Sequence, residues 1–122
     1  MKILSFTVAF GITFLLSQSL DVHAASTSCL PSSLKSRLNQ LKSKYGGLHV
    51  ISAHRKGARI RGSGRRSKHA SCKAVDFKIG NKWAAYKWLS KNHNGGVGVY
   101  SGNCSHIHID IGGRARWHSK KC

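Results

Sequence analysis

From Ala25 onward the chain carries 20 lysines and arginines against two carboxylates, Asp76 and Asp110, and no glutamate. Surface ion pairs cannot hold such a chain together. Like-charge repulsion works against any compact state. A segment of 98 residues (25–122) in this position needs covalent staples beside its apolar core. Four cysteines, Cys29, Cys72, Cys104 and Cys122, offer them. An even count in a small domain predicts two disulfides. The alternative is a four-thiolate metal site, against which the spacings of 43, 32 and 18 residues argue, since no C-x-x-C pair occurs.

Residues 1–24 read as a secretory signal peptide. Lys2 supplies the charged start, Ile3 to Leu16 a short apolar core, and Val22-His23-Ala24 the small-residue cleavage pattern. A membrane anchor is the alternative, but the core is short for a span. Residues 25–122 then form one exported domain, periplasmic or extracellular, expected to be monomeric and without a membrane span. That length excludes a barrel enzyme, a dinucleotide-binding enzyme or a two-domain transferase.

An apolar stripe at Leu34, Leu38, Leu41 and Tyr45 predicts a first helix over Pro31–Tyr45, with Pro31 in its first turn and Gly46-Gly47 as its stop. Leu48–Ala53 reads as a strand, 54–68 as a long basic loop, and Ala74–Ile79 as a second strand. Asn81–Lys91 reads as a helix capped by Asn81, with Trp83, Tyr86 and Trp88 in its core face. Val97–Tyr100, His106–Ile111 and Arg114–His118 complete the strands. The expected fold is α+β: a small antiparallel sheet with two flanking helices. If Gly112-Gly113 closes a hairpin, counting outward places Cys104 opposite Lys121, next to Cys122. The expected pairing is therefore Cys104–Cys122, which leaves Cys29–Cys72.

His106-Ile107-His108-Ile109-Asp110-Ile111 holds the most chemistry. Period-two alternation puts the isoleucines on a core face and His106, His108 and Asp110 on the other. A solvent-facing strand of this chain would carry Lys or Arg; this one carries metal-ligand types. A polar edge strand is the plain alternative. The second segment, Ser67-Lys68-His69-Ala70-Ser71-Cys72-Lys73-Ala74-Val75-Asp76, pairs a histidine with the other carboxylate. Seven residues apart, His69 and Asp76 would face opposite ways on one straight strand. They converge only if His69 sits on a turn before the strand.

Ser67, His69, Ala74 and Asp76 match the S-x-H-x-x-G-x-A-x-D signature of the D-Ala-D-Ala metallopeptidases, the group shared with lysostaphin-type enzymes and the hedgehog signalling domain. Cys72 stands where glycine is usual. Gly95-Gly96-Val97-Gly98-Val99-Tyr100, the His108-Ile109-Asp110 strand and Arg114-Ala115-Arg116-Trp117 resemble the small periplasmic branch. Ile51-Ser52-Ala53-His54-Arg55 resembles its I-S-x-Y-R stretch, with His54 for tyrosine. The resemblance spans about residues 48–118. It implies a zinc site of His69, Asp76 and His108, three ligands that leave a position for water as catalytic sites do. Asp110 is the runner-up ligand or an orienting partner of an imidazole. Arg55 matches the family arginine that meets a substrate carbonyl or carboxylate. Many relatives carry a glutamate base three residues before the last histidine; Ser105 stands there, and His106 is the nearest substitute.

The implied function is zinc-dependent hydrolysis of amide bonds in peptidoglycan stem peptides or cross-links. The alternatives are a non-catalytic zinc module that binds cell wall or protein, and a basic protein that binds anionic envelope polymers. A nucleic-acid partner is disfavoured, since the chain has no recognisable motif for one. The Arg59–Lys68 run is a solvated loop or a guide for anionic substrate. Trp117 lines the cleft or caps the sheet. His49, His93 and His118 are expected on the surface.

Overall fold

The computed structural model describes residues 24–122, so the expected signal segment lies outside the described residues apart from Ala24. Helix α1 (Ser32–Tyr45) is followed by strand β1 (His49–Ser52), a one-turn 3-10 helix (Lys68–Ser71), β2 (Ala74–Lys78), helix α2 (Lys82–Asn92), β3 (Val97–Tyr100), β4 (His106–Asp110) and β5 (Arg116–Ser119). The strands form one sheet in the order β1-β2-β4-β3-β5. The α+β class, the two helices and both disulfides, Cys29–Cys72 and Cys104–Cys122, are present as expected.

One face of the sheet is the core. Val75, Phe77, Val97, Val99, Ile107 and Ile109 meet Leu34, Leu38 and Leu41 of α1 and Ala85 and Leu89 of α2. Burying each large side chain here stabilises the fold by about 1.5–3 kcal/mol. Alternation then forces Asp76, Gly98, Tyr100, His106, His108 and Asp110 onto the opposite face. The segment between β1 and β2 covers part of that face.

The last strand departs from expectation. β5 runs parallel to β3, not antiparallel to β4. Gly112 does not close a hairpin: its N–H donates to the Asp110 carboxylate at 2.8 Å. The chain then crosses β3 and pairs on its far side. The Cys104–Cys122 bond forms for a different reason. The β3–β4 loop meets the end of β5, where the Ser101 N–H donates to Ser119 O at 2.9 Å.

Other local expectations also change. Asn81 makes no side-chain cap on α2 and sits in the left-handed region (φ 49°). Trp83 is exposed, while Tyr86 and Trp88 pack partly against the core. Ile111 lies past the end of β4 and is exposed. His93 is buried rather than superficial, and its Nε2–H donates to Asp110 O at 2.8 Å. The carbonyl end of α2 is held by arginines. Arg116 donates to Ser90, His93 and Gly95 carbonyls, Arg114 to those of Ser90 and Lys91, and Arg37 to that of Asn92. Cations suit that end of a helix.

Candidate metal centre

The sheet register builds the site. Asp76 pairs with His108, His108 with Gly98, and Gly98 with Trp117, so the four form one row across β2, β4, β3 and β5. Glycine at 98 is required: a Cβ there would overlap the Trp117 indole. Trp117 thereby lies over β3, its ring 5.3 Å from that of His108.

His69 enters from the 3-10 turn. The Ser67 hydroxyl caps that turn by accepting the His69 N–H at 3.2 Å. The Arg55 N–H donates to His69 O at 2.9 Å, which ties the Arg55 loop to the same turn. Cys72 ends the turn in the left-handed region (φ 55°) and is bonded to Cys29.

Three donor atoms converge. His69 Nε2 is 3.2 Å from Asp76 Oδ1 and 3.3 Å from His108 Nδ1, and His108 Nδ1 is 2.8 Å from Asp76 Oδ1. The three side chains are only 2%, 11% and 12% exposed for His69, Asp76 and His108. Bonds of about 2.0–2.1 Å to a tetrahedral ion separate its ligand atoms by about 3.3 Å. Two of the three separations already match, and the third needs an opening of a few tenths of an ångström.

The proton positions fit as well. His69 Nδ1–H donates to Ala53 O at 2.7 Å, which leaves Nε2 as the nitrogen that faces the other two ligand atoms. His108 Nε2–H donates to Asp110 Oδ2 at 2.8 Å, which leaves Nδ1 as the coordinating nitrogen. Asp110 is thus a positioning residue for His108. Its other oxygen accepts the N–H groups of Gly96 (3.0 Å) and Gly112 (2.8 Å). A Cβ on Gly96 would lie 2.6 Å from that carboxylate, so glycine is needed there too.

Without a metal the cluster holds a proton. Burial pushes the His108 imidazole down, but hydrogen bonds to Asp110 and Asp76 outweigh it and raise the ring to about 9. Burial alone would raise Asp76, yet His108 and His69 hold it well below the usual carboxylate range. Asp110, likewise pushed up by burial, is lowered to about 2 by His108 and the Gly112 and Gly96 amides.

Arg55 Nη2 stands 4.0 Å from Asp76 Oδ2, and its side chain, about half exposed, lines the cleft above the cluster. His106 stacks on Tyr100 with ring centroids 4.4 Å apart. Tyr100 lines the cleft; His106 itself does not. Burial pushes the His106 imidazole below its ordinary value. Tyr100 stands in the family-like motif with no role legible from it, and the sequence allows Trp117 either of two roles. Gly98, opposite Trp117 in the register, was the available signal for both.

A family model for peptidase M15 matches residues 14–110. This covers most of the chain, which therefore belongs to that metallopeptidase family, as its motifs indicate. The family consists of zinc enzymes, and the buried His69–Asp76–His108 group can hold a metal ion. Searches of curated proteins and of solved structures found no match.

Proposed function

We propose that this protein is an exported zinc peptidase that hydrolyses amide bonds in peptidoglycan stem peptides or cross-links. The observation that carries this reading is the His–Asp–His donor set at the base of a cationic cleft of about 490 Å³, lined by Arg55, Arg59, Arg61 and Lys68. Stem peptides carry free carboxylates, which suit such walls. No helix among the described residues is long and apolar enough to cross a membrane.

His69, Asp76 and His108 would hold the ion; the borderline N, O, N donor set fits zinc. Zinc there supplies Lewis acidity toward a scissile carbonyl and makes water nucleophilic near neutral pH. Arg55, about half exposed at the cleft wall, would meet the carbonyl oxygen as it gains charge. Asp110 keeps the His108 proton on Nε2. His106, on the same strand face as His108, stacks on Tyr100 outside the cleft, so it supports that wall and is not in reach of a water over the metal ligands. Trp117 and Tyr100 form an aromatic wall that limits solvent on one side.

A second reading, a zinc module that binds without cleaving, rests on one observation. The position of the family's usual glutamate is Ser105, which is exposed and accepts a hydrogen bond from Lys82 Nζ at 3.0 Å. The test is bound zinc and release of soluble muropeptides from purified peptidoglycan, for the oxidised protein and for His108→Ala. One zinc per chain and hydrolysis, both lost in the variant, support the peptidase. Zinc without hydrolysis supports the binding module.

A further inference from the structure

The cleft over the metal ligands does not end at Trp117. A second hollow of about 820 Å³ continues from it, and the two share Ile60, Arg61, Tyr100, Trp117 and Cys122. Together they make one groove with the metal ligands at one end. Lys120 and Lys121 line the other.

Both rims are fixed by the backbone. On one side, residues 58–67 fold into a narrow ribbon. The Ser67 N–H donates to Ala58 O at 2.9 Å, Ile60 N–H to Arg65 O at 2.7 Å, and Arg59 bridges Arg66. This ribbon carries Arg59 and Arg61. On the other side, the Cys104–Cys122 bond and the Ser119 hydroxyl, which donates to Lys121 O at 2.8 Å, hold the tail that bears the two lysines. The floor between them is Tyr100 and Trp117, locked together by the Trp117 Nε1–H donated to the Tyr100 hydroxyl at 3.1 Å.

Both acids of the described residues, Asp76 and Asp110, lie at the metal end. The far half of the groove therefore offers Arg61, Lys120 and Lys121 without a competing acidic side chain. Its aromatic floor suits an extended chain better than a compact ion.

We infer that the groove from Trp117 to Lys121 is a second substrate subsite, which binds carboxylates of an extended acidic peptide several residues away from the bond held at the metal. The inference deepens the peptidase reading and rests on it for the occupant's class. It makes substrate charge distant from the scissile bond a determinant of specificity. It also gives the Cys104–Cys122 bond a role in holding one rim.

The test uses fluorescence anisotropy at physiological salt with a fluorescein-labelled hexapeptide of alternating Glu and Gly, and its Gln counterpart. Three proteins are compared: wild type, Arg61→Ala/Lys120→Ala/Lys121→Ala, and Lys42→Ala/Lys87→Ala/Lys91→Ala. The last loses the same charge from the exposed faces of the two helices. The groove variant should bind the Glu peptide at least tenfold more weakly than wild type. The helix variant should stay within about threefold, as screening at that salt predicts for charges remote from the ligand. The Gln peptide should bind poorly to all three. Equal weakening in both variants, or equal binding of the Gln peptide, overturns the subsite. Displacement of the peptide by a polyphosphate of equal charge at tenfold lower concentration overturns the peptide assignment in favour of a phosphate polymer. The readout needs no turnover, so it separates two failures. Groove-dependent binding without any hydrolysis leaves the subsite standing and removes the peptidase. Hydrolysis with groove-indifferent binding does the reverse.

Discussion

Replacing Asp110 by asparagine tests how the coordinating nitrogen of His108 is chosen. One Asp110 oxygen accepts the His108 Nε2–H at 2.8 Å, and the other accepts the Gly96 and Gly112 amides. Asparagine has one oxygen for both tasks. If its oxygen stays with the two amides, its NH2 faces His108 and forces the ring proton onto Nδ1, the nitrogen aimed at Asp76 and His69. If the amide flips, the buried Gly96 N–H loses its acceptor, at about 1–3 kcal/mol, and the part-buried Gly112 N–H loses its own. Either arrangement opposes metal binding. Loss of such an outer partner typically weakens a site 10–100-fold, or about 1.4–2.7 kcal/mol. Zinc affinity is measured by competition with a chromogenic chelator at pH 7.5, with thermal melts alongside to show that the variant folds. A folded Asp110→Asn protein whose zinc affinity stays within twofold of wild type would refute the reasoning.

Further outcomes follow from the same contacts. The raised His108 group stabilises the metal-free fold fully below its ordinary value near 6.5 and loses that contribution as pH rises through about 9. The lowered Asp76 and Asp110 stabilise it above about 3.8 and lose that as pH falls. Urea melts of metal-free protein should therefore show greatest stability between about pH 4 and 6.5 and a loss of order 3 kcal/mol by pH 9.5; a flat profile would contradict the protonated cluster. Removing the Cys29–Cys72 bond, which closes 43 residues, should cost about 4 kcal/mol on the chain-entropy estimate. With Cys29→Ala, Cys72→Gly should be about 1 kcal/mol more stable than Cys72→Ala, because position 72 has positive φ; equal stabilities would refute that. Arg116→Ala should cost at least about 2 kcal/mol through the carbonyls it holds, with Arg116→Lys a poor rescue in the same melts.

The donor residues were legible because strand alternation is a strong constraint. His-Ile-His-Ile-Asp cannot place its isoleucines in a core without presenting its histidines and aspartate together. His69 was harder: spacing shows only that it sits on a turn, and the Ser67 cap that sets this turn is recognisable chiefly through the family motif. The direction of β5 was not legible, because Gly112-Gly113 suits a hairpin turn, and Asp110 captures the Gly112 amide only in the folded sheet. The cysteine pairing came out as expected for a reason the hairpin count did not contain. Trp83 and His93 exchanged their expected places. The periodicity of α2 does not show where its apolar face meets the sheet edge, and the acceptor of His93 is a backbone carbonyl with no sequence signature. The distal groove was invisible in sequence, since its rims come from segments about sixty residues apart.

The most direct test of the metal centre is X-ray absorption at the zinc edge of the oxidised, zinc-loaded protein. Two imidazole nitrogens with oxygen donors at about 2.0–2.2 Å, and either one imidazole fewer or no bound zinc in each of His69→Ala and His108→Ala, are predicted. Sulfur scattering near 2.3 Å, or an unchanged spectrum in both variants, would place the ion elsewhere and contradict the assignment of His69, Asp76 and His108.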